Sequence, residues 1–146
     1  YRSFGKIDDK RVDASLLSLV WPFEIVKADD KRLQELVKLI EKNLVKDFGV
    51  HRYENDEYDG WMYNKNIHRK KGAGYWPLLN FWIAIYFMER KNKEKALKYY
   101  NKVLNDIRNK KFIPEQIFDN KIQVSVSPLC WSHAMFVIAS KKLEYI

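Results

Sequence analysis

Cysteine is nearly missing from this sequence: Cys130, inside "PLCWSHAMFVIAS", stands alone. One thiol builds neither a disulfide framework nor a zinc site. It reads as a small buried hydrophobe and fits a reducing compartment, so the chain is expected in the cytoplasm. His51, His68 and His133 show no metal-like spacing, and neither a metal nor a cofactor is expected. The "GAG" at 72–74 does not make a phosphate-binding loop. No apolar run approaches the roughly 18 residues of a membrane span, and no secretory signal is visible. The chain opens on Tyr1 rather than on a methionine, which points to a piece of something longer.

What is present is core material. Apolar residues make up 47% of the 146 and aromatics 15%, enough to exclude disorder for most of the chain. The length suits one domain, with no second. Lys and Arg outnumber Asp and Glu by 27 to 19, a balance that nucleic-acid binders share. Here most lysines sit beside acids, as in "DDKRLQELVKLIEKN" and "ERKNKEKALKYYNK", and read as solvated helix faces. The one compact basic cluster, "HRKKG" at 68–72, is short.

Five stretches carry helical signals, and they are of two kinds. Residues 13–23, 75–90 and 127–140 are apolar nearly all round. Residues 29–47 carry one stripe, Leu33, Leu36, Val37, Ile40 and Leu44, with an acid pair at the start and Gly49 after the end. Residues 92–107 carry another, with Ala96, Leu97, Tyr100, Val103, Leu104 and Ile107 on one face. Strand signals are weak, and only "KIQVSVS" at 121–127 alternates cleanly. A helix apolar on every face must be enclosed, whereas a striped one lies outside. The strict alternation therefore predicts an all-α array in two layers, inner helices lined by outer ones.

The connections place a site. Links from inner to outer helices are short, whereas those from outer to inner, 48–74 and 108–126, are long, and such loops are usually functional or disordered. In an alternating array they emerge at one end. "HRYENDEYDGW", "GAGYW" and "FIPEQIFDN" should therefore gather at one rim, with the segment before residue 13 and the positive ends of the inner helices. Arg52, Tyr53, Asp56, Tyr58 and Trp61 mix planar rings with fixed donors and acceptors. That mixture suits a sugar, and it equally suits a protein interface. Glu115 is a lone acid among Phe112, Ile113, Ile117 and Phe118. It is either a partly dried general base or an acid paired with Lys110 or Lys111. Trp76 and Trp131 lie near the rim and read as core or as pocket walls, while His133 reads as a satisfied helix histidine.

Taken in order, "DASLLSLVWPF", "GVHRYENDEYDG", "WPLLNFWIAIYFMER", "KALKYYNKVL", "FIPEQIFDN" and "SPLCWSHAMFVIASKKLEYI" resemble the C-terminal part of the catalytic domain of glycoside hydrolase family 15, the glucoamylase-like enzymes, in their archaeal and bacterial form. The resemblance covers nearly the whole chain. It implies a partial (α/α)6 barrel, or six-hairpin toroid, with its active site at one rim. It implies inverting hydrolysis of an α-glucosidic bond, with Glu115 as general base. Arg52 then binds the sugar beside the cleaved bond, and Tyr53, Asp56, Tyr58, Trp76 and Trp131 line the pocket. The family's general acid lies on an earlier segment, and no residue here matches it. Residues 1–146 are thus expected to be the C-terminal portion of one catalytic domain, inactive alone, whose partners are an oligosaccharide or other α-glucoside and the upstream remainder of that domain. No membrane or nucleic-acid partner is expected. A trehalase-type hydrolase of the same family and a non-catalytic helical-repeat module are the alternatives. "EKALKYYNKVL" favours the latter, but no period of about 34 residues recurs.

Overall fold

The computed structural model describes residues 2–4, 7–60, 72–120 and 123–145. Trp61, most of "HRKKG" and the first two residues of "KIQVSVS" fall outside them. The described residues form an all-α fold with two small hairpins. The order is β1 (Arg2–Phe4), β2 (Ile7–Asp9), a 3-10 helix (Ala14–Leu19), α1 (Lys31–Leu44), β3 (Val45–Lys46), β4 (Gly49–Val50), α2 (Pro77–Glu89), α3 (Lys93–Ile107) and α4 (Cys130–Lys142).

Helix α1 starts at Asp30, whose carboxylate accepts from the Arg32 N–H, one of the backbone donors that a helix start leaves unpaired. Its stripe buries Leu33, Val37, Ile40 and Leu44. It ends by turning into the antiparallel hairpin β3–β4. Asp47 and Phe48 both take positive φ there, 45° and 59°, as tight hairpins require. Gly49 follows because a Cβ would sit 2.8 Å from the Tyr75 ring. Helix α3 is capped by Asn92, which accepts from Lys95 N–H, and buries Ala96, Tyr99, Tyr100 and Val103.

Helix α2 is the centre. Pro77 opens it, where its missing N–H costs nothing, and every residue from 77 to 87 is buried. It packs on α3, α4, the 3-10 helix and β4. Its interior amide residue, Asn80, is fully buried and saturated. The side-chain carbonyl accepts from Val50 N–H at 2.8 Å, and the amide donates to Phe48 O at 2.7 Å and Tyr99 O at 3.0 Å. Asn80 therefore ties hairpin, α2 and α3 into one unit.

Three expectations are corrected. The stretch 13–23 is not an enclosed α-helix. It makes only the 3-10 helix, because Pro22 has no N–H to continue a ladder, and Phe23 and Ile25 beyond it are exposed. Helix α4 is not enclosed either. It buries Ser132, Met135, Ala139 and Ser140 but exposes Trp131 and Val137, and Cys130 is exposed rather than core. Residues 123–126, where the strand signal was weak, form no strand, and their alternation runs inverted. Gln123 and Ser125 are buried while Val124 and Val126 face out, because the polar pair holds neighbouring loops. Gln123 donates to Asp59 O at 2.7 Å. The Ser125 hydroxyl accepts from Gln116 N–H at 2.8 Å and donates to Gln116 O at 3.0 Å.

Candidate active site

The long loops do converge, and at the N-terminal ends of α2 and α4. The loop 51–60 is bonded to the segment before the 3-10 helix: Ala14 N–H donates to Arg52 O, Glu54 N–H to Val12 O, and Val12 N–H to the Glu54 carboxylate. Tyr75 and Ile117 exchange both backbone bonds, at 3.0 and 2.9 Å. Gly74 permits that approach, since a Cβ there would lie 2.5 Å from Ile117 O. At the other side, Leu129 N–H donates to Ile113 O and the Ser132 hydroxyl to Pro114 O. The loop bearing Glu115 is thereby stitched to the starts of both helices, whose partial positive charge favours an anion.

Within this rim Arg52 and Asp56 form a bidentate pair. Nε donates to Oδ2 and Nη2 to Oδ1, each at 2.9 Å, the planar geometry that makes such pairs strong. Asp56 is buried. The guanidinium lies 4.7 Å from the centroids of Tyr53 and Trp76 and 5.4 Å from that of Tyr58, within cation–π range of all three. Burial opposes the charge of Arg52, but Asp56 outweighs it and holds the guanidinium pKa above its usual value. Nη1 takes no part in these bonds among the described residues.

Glu115 is half-buried. Its N–H donates to Val126 O at 2.9 Å, and its Oε2 accepts from the Tyr58 hydroxyl at 3.1 Å. Burial first and then Glu115 push the Tyr58 phenol above its usual pKa, so it stays a donor. Among the described residues no ion pair joins Glu115 to Lys110 or Lys111. His133 is satisfied, accepting at Nε2 from Ile113 N–H at 3.0 Å.

Arg52, Tyr53, Asp56, Tyr58, Trp76 and Glu115 are thus brought together. Trp131 is not. It is 62% exposed on the first turn of α4, and no ring contact or hydrogen bond joins it to the others among the described residues. Trp76 is buried rather than an open wall. One residue escaped sequence reasoning. Gln116 is fully buried and receives the Gly74 N–H at 2.9 Å, and its Nε2, like Trp76 Nε1, has no partner among the described residues. The adjacency "PEQ" was the only signal for Gln116. Among the described residues no group of acids, histidines and cysteine could hold a metal ion, and no helix is long and apolar enough to cross a membrane.

Solved glycosidase structures share this all-α fold. The chain superposes on a wild-type glycosidase with a TM-score of 0.77 at 24% identity, over 94% of this chain and 37% of that one. A glycosidase variant in complex with glucose gives 0.76 at 24% identity over the same shares. In sequence, the chain is 30% identical over 144 residues to a Methanocaldococcus jannaschii protein described as an uncharacterized glycosyl hydrolase. That match takes 89% of this chain and 22% of the relative. The chain therefore spans under a quarter of the curated relative's length and just over a third of the solved chains. No protein-family model matches it.

Proposed function

We propose that this chain is the C-terminal portion of a glucoamylase-like catalytic domain of glycoside hydrolase family 15, hydrolysing an α-glucosidic bond with inversion. The observation that carries this is the pairing of Glu115 with the Arg52 cluster. A half-buried carboxylate, held by one phenol, is linked through that phenol's ring to a guanidinium fixed by Asp56 and three rings. In this account Arg52 Nη1 grips hydroxyls of the sugar beside the cleaved bond, and Tyr53, Asp56, Tyr58 and Trp76 shape its pocket. Glu115 removes a proton from water as the water oxygen attacks the anomeric carbon. The departing glycosidic oxygen takes its proton from a second carboxyl. In inverting sites that group stands about 6.5–9.5 Å from the base, and it belongs to a segment outside these 146 residues. The short share of each relative that the chain spans supports this. The exposed apolar side of α4 is where further helices of the barrel pack. Trp131, on that side, reaches the pocket only in their company.

The test is turnover in the longer polypeptide that carries this chain and the acid-bearing segment. Glu115→Gln is expected to lower kcat on α-1,4-linked oligosaccharides by about 10²–10⁴-fold, with folding retained because the amide still accepts from Tyr58. Near-normal turnover overturns the assignment. Hydrolysis of trehalose in place of those oligosaccharides would make the enzyme trehalase-type with the same base.

A further inference from the structure

We propose that Tyr58 is a positioning residue for Glu115, engaging its Oε2 so that Oε1 alone is left to receive the proton of the attacking water. This rests on Glu115 being the base. Three contacts fix Tyr58 from outside the carboxylate. Its N–H donates to Asp56 Oδ1 at 3.0 Å, and Asp56 is itself held by both arms of Arg52. Its ring lies 5.4 Å from the Arg52 guanidinium and 6.2 Å from the Trp76 ring. Glu115, by contrast, is anchored through its main chain, to Val126 and through the next residue to Ser125. Its own three side-chain torsions have Tyr58 as their one hydrogen-bonding restraint among the described residues.

The consequence is chemical as well as geometric. A carboxylate oxygen already accepting from a phenol is the poorer base of the two, so the free oxygen takes the water proton. As the water oxygen bonds to the anomeric carbon, the glycosidic C–O bond breaks. One proton passes to Oε1 and another reaches the leaving oxygen from the external carboxyl. Arg52 and Asp56 thereby act twice, directly on the sugar and indirectly on the base through Tyr58. A sugar seated against Arg52 and a carboxylate aimed at its anomeric carbon are set by one network.

Tyr58→Phe keeps the ring and removes the hydroxyl. In the longer polypeptide, NMR of Glu115 should show its χ angles spread over more rotamers in Tyr58→Phe than in the parent. Unchanged order overturns the proposal without reference to catalysis. In the longer polypeptide, Tyr58→Phe should lower kcat by about 10–10²-fold, the scale of a slightly misplaced group, with KM nearly unchanged. Added to Glu115→Gln it should lower kcat no further, because it acts through that residue. Wild-type kcat, a change in KM alone, or an effect that multiplies with that of Glu115→Gln would each overturn it. Should Glu115→Gln itself be fully active, the base assignment falls first, and the two failures are told apart.

Discussion

Helices α2 and α4 are both apolar on nearly every face, yet their surroundings differ. Helix α2 buries every residue from 77 to 87, with the 3-10 helix, α3, α4 and β4 packed around it. Helix α4 packs on α2 along one side, links to α3 through the Tyr100 and Ser140 hydroxyls, and leaves Trp131 and Val137 to solvent. Hydropathy reports which surroundings a helix tolerates. Neighbours decide which it has. The difference also explains where polar groups sit. Asn80 in α2 survives burial by meeting three backbone partners, whereas Ser140 in α4 bonds back to its own turn at Phe136 O.

That contrast is open to direct attack. Phe81→Ala in α2 should cost about 3–5 kcal/mol, since Phe81 is fully buried and its loss leaves a cavity. Val137→Ser in α4, half exposed, should stay within about 0.5 kcal/mol. Urea unfolding of both variants checks this, and comparable losses would erase the distinction. Next in size is Asn80→Ala, which strands the Val50 N–H and two carbonyls. Roughly 1–3 kcal/mol is expected from unmet buried groups, together with faster amide exchange at Val50. If exchange there is unchanged, Asn80 does not hold the hairpin.

The smallest effect lies at the rim. Burial holds the His51 imidazole pKa below its usual 6.5, against the opposing pull of Asp119. The fold thus prefers neutral His51. Its contribution is complete above pH 6.5 and is lost as pH falls, because the unfolded chain then binds the proton more readily. Stability measured between pH 7.5 and 5 should decline less in His51→Gln than in the parent. An identical slope would show that His51 is not the group responsible.

Much of this was legible from residue order. The stripes of α1 and α3 follow a helical period, and the inner-outer alternation was enough to bring residues 51–58 and 113–117 to one end. What escaped depends on partners distant in sequence. The hairpin β3–β4 rests on positive φ at Asp47 and Phe48, residues with no glycine to announce it. The inverted alternation at 123–126 reflects hydrogen bonds to Asp59 and Gln116, which periodicity cannot register. Tyr58 read as a sugar wall because aromatic composition is blind to a hydroxyl's direction. The exposure of Cys130 and Trp131 was missed because α4 was counted as enclosed.

The most direct measurement is kcat of Glu115→Gln against the parent in the longer polypeptide, on α-1,4-linked oligosaccharides. A fall of about 10²–10⁴-fold with unchanged thermal unfolding is the predicted result. Turnover within a few-fold of the parent would contradict the account, leaving Glu115 as an acid held by a phenol for another purpose.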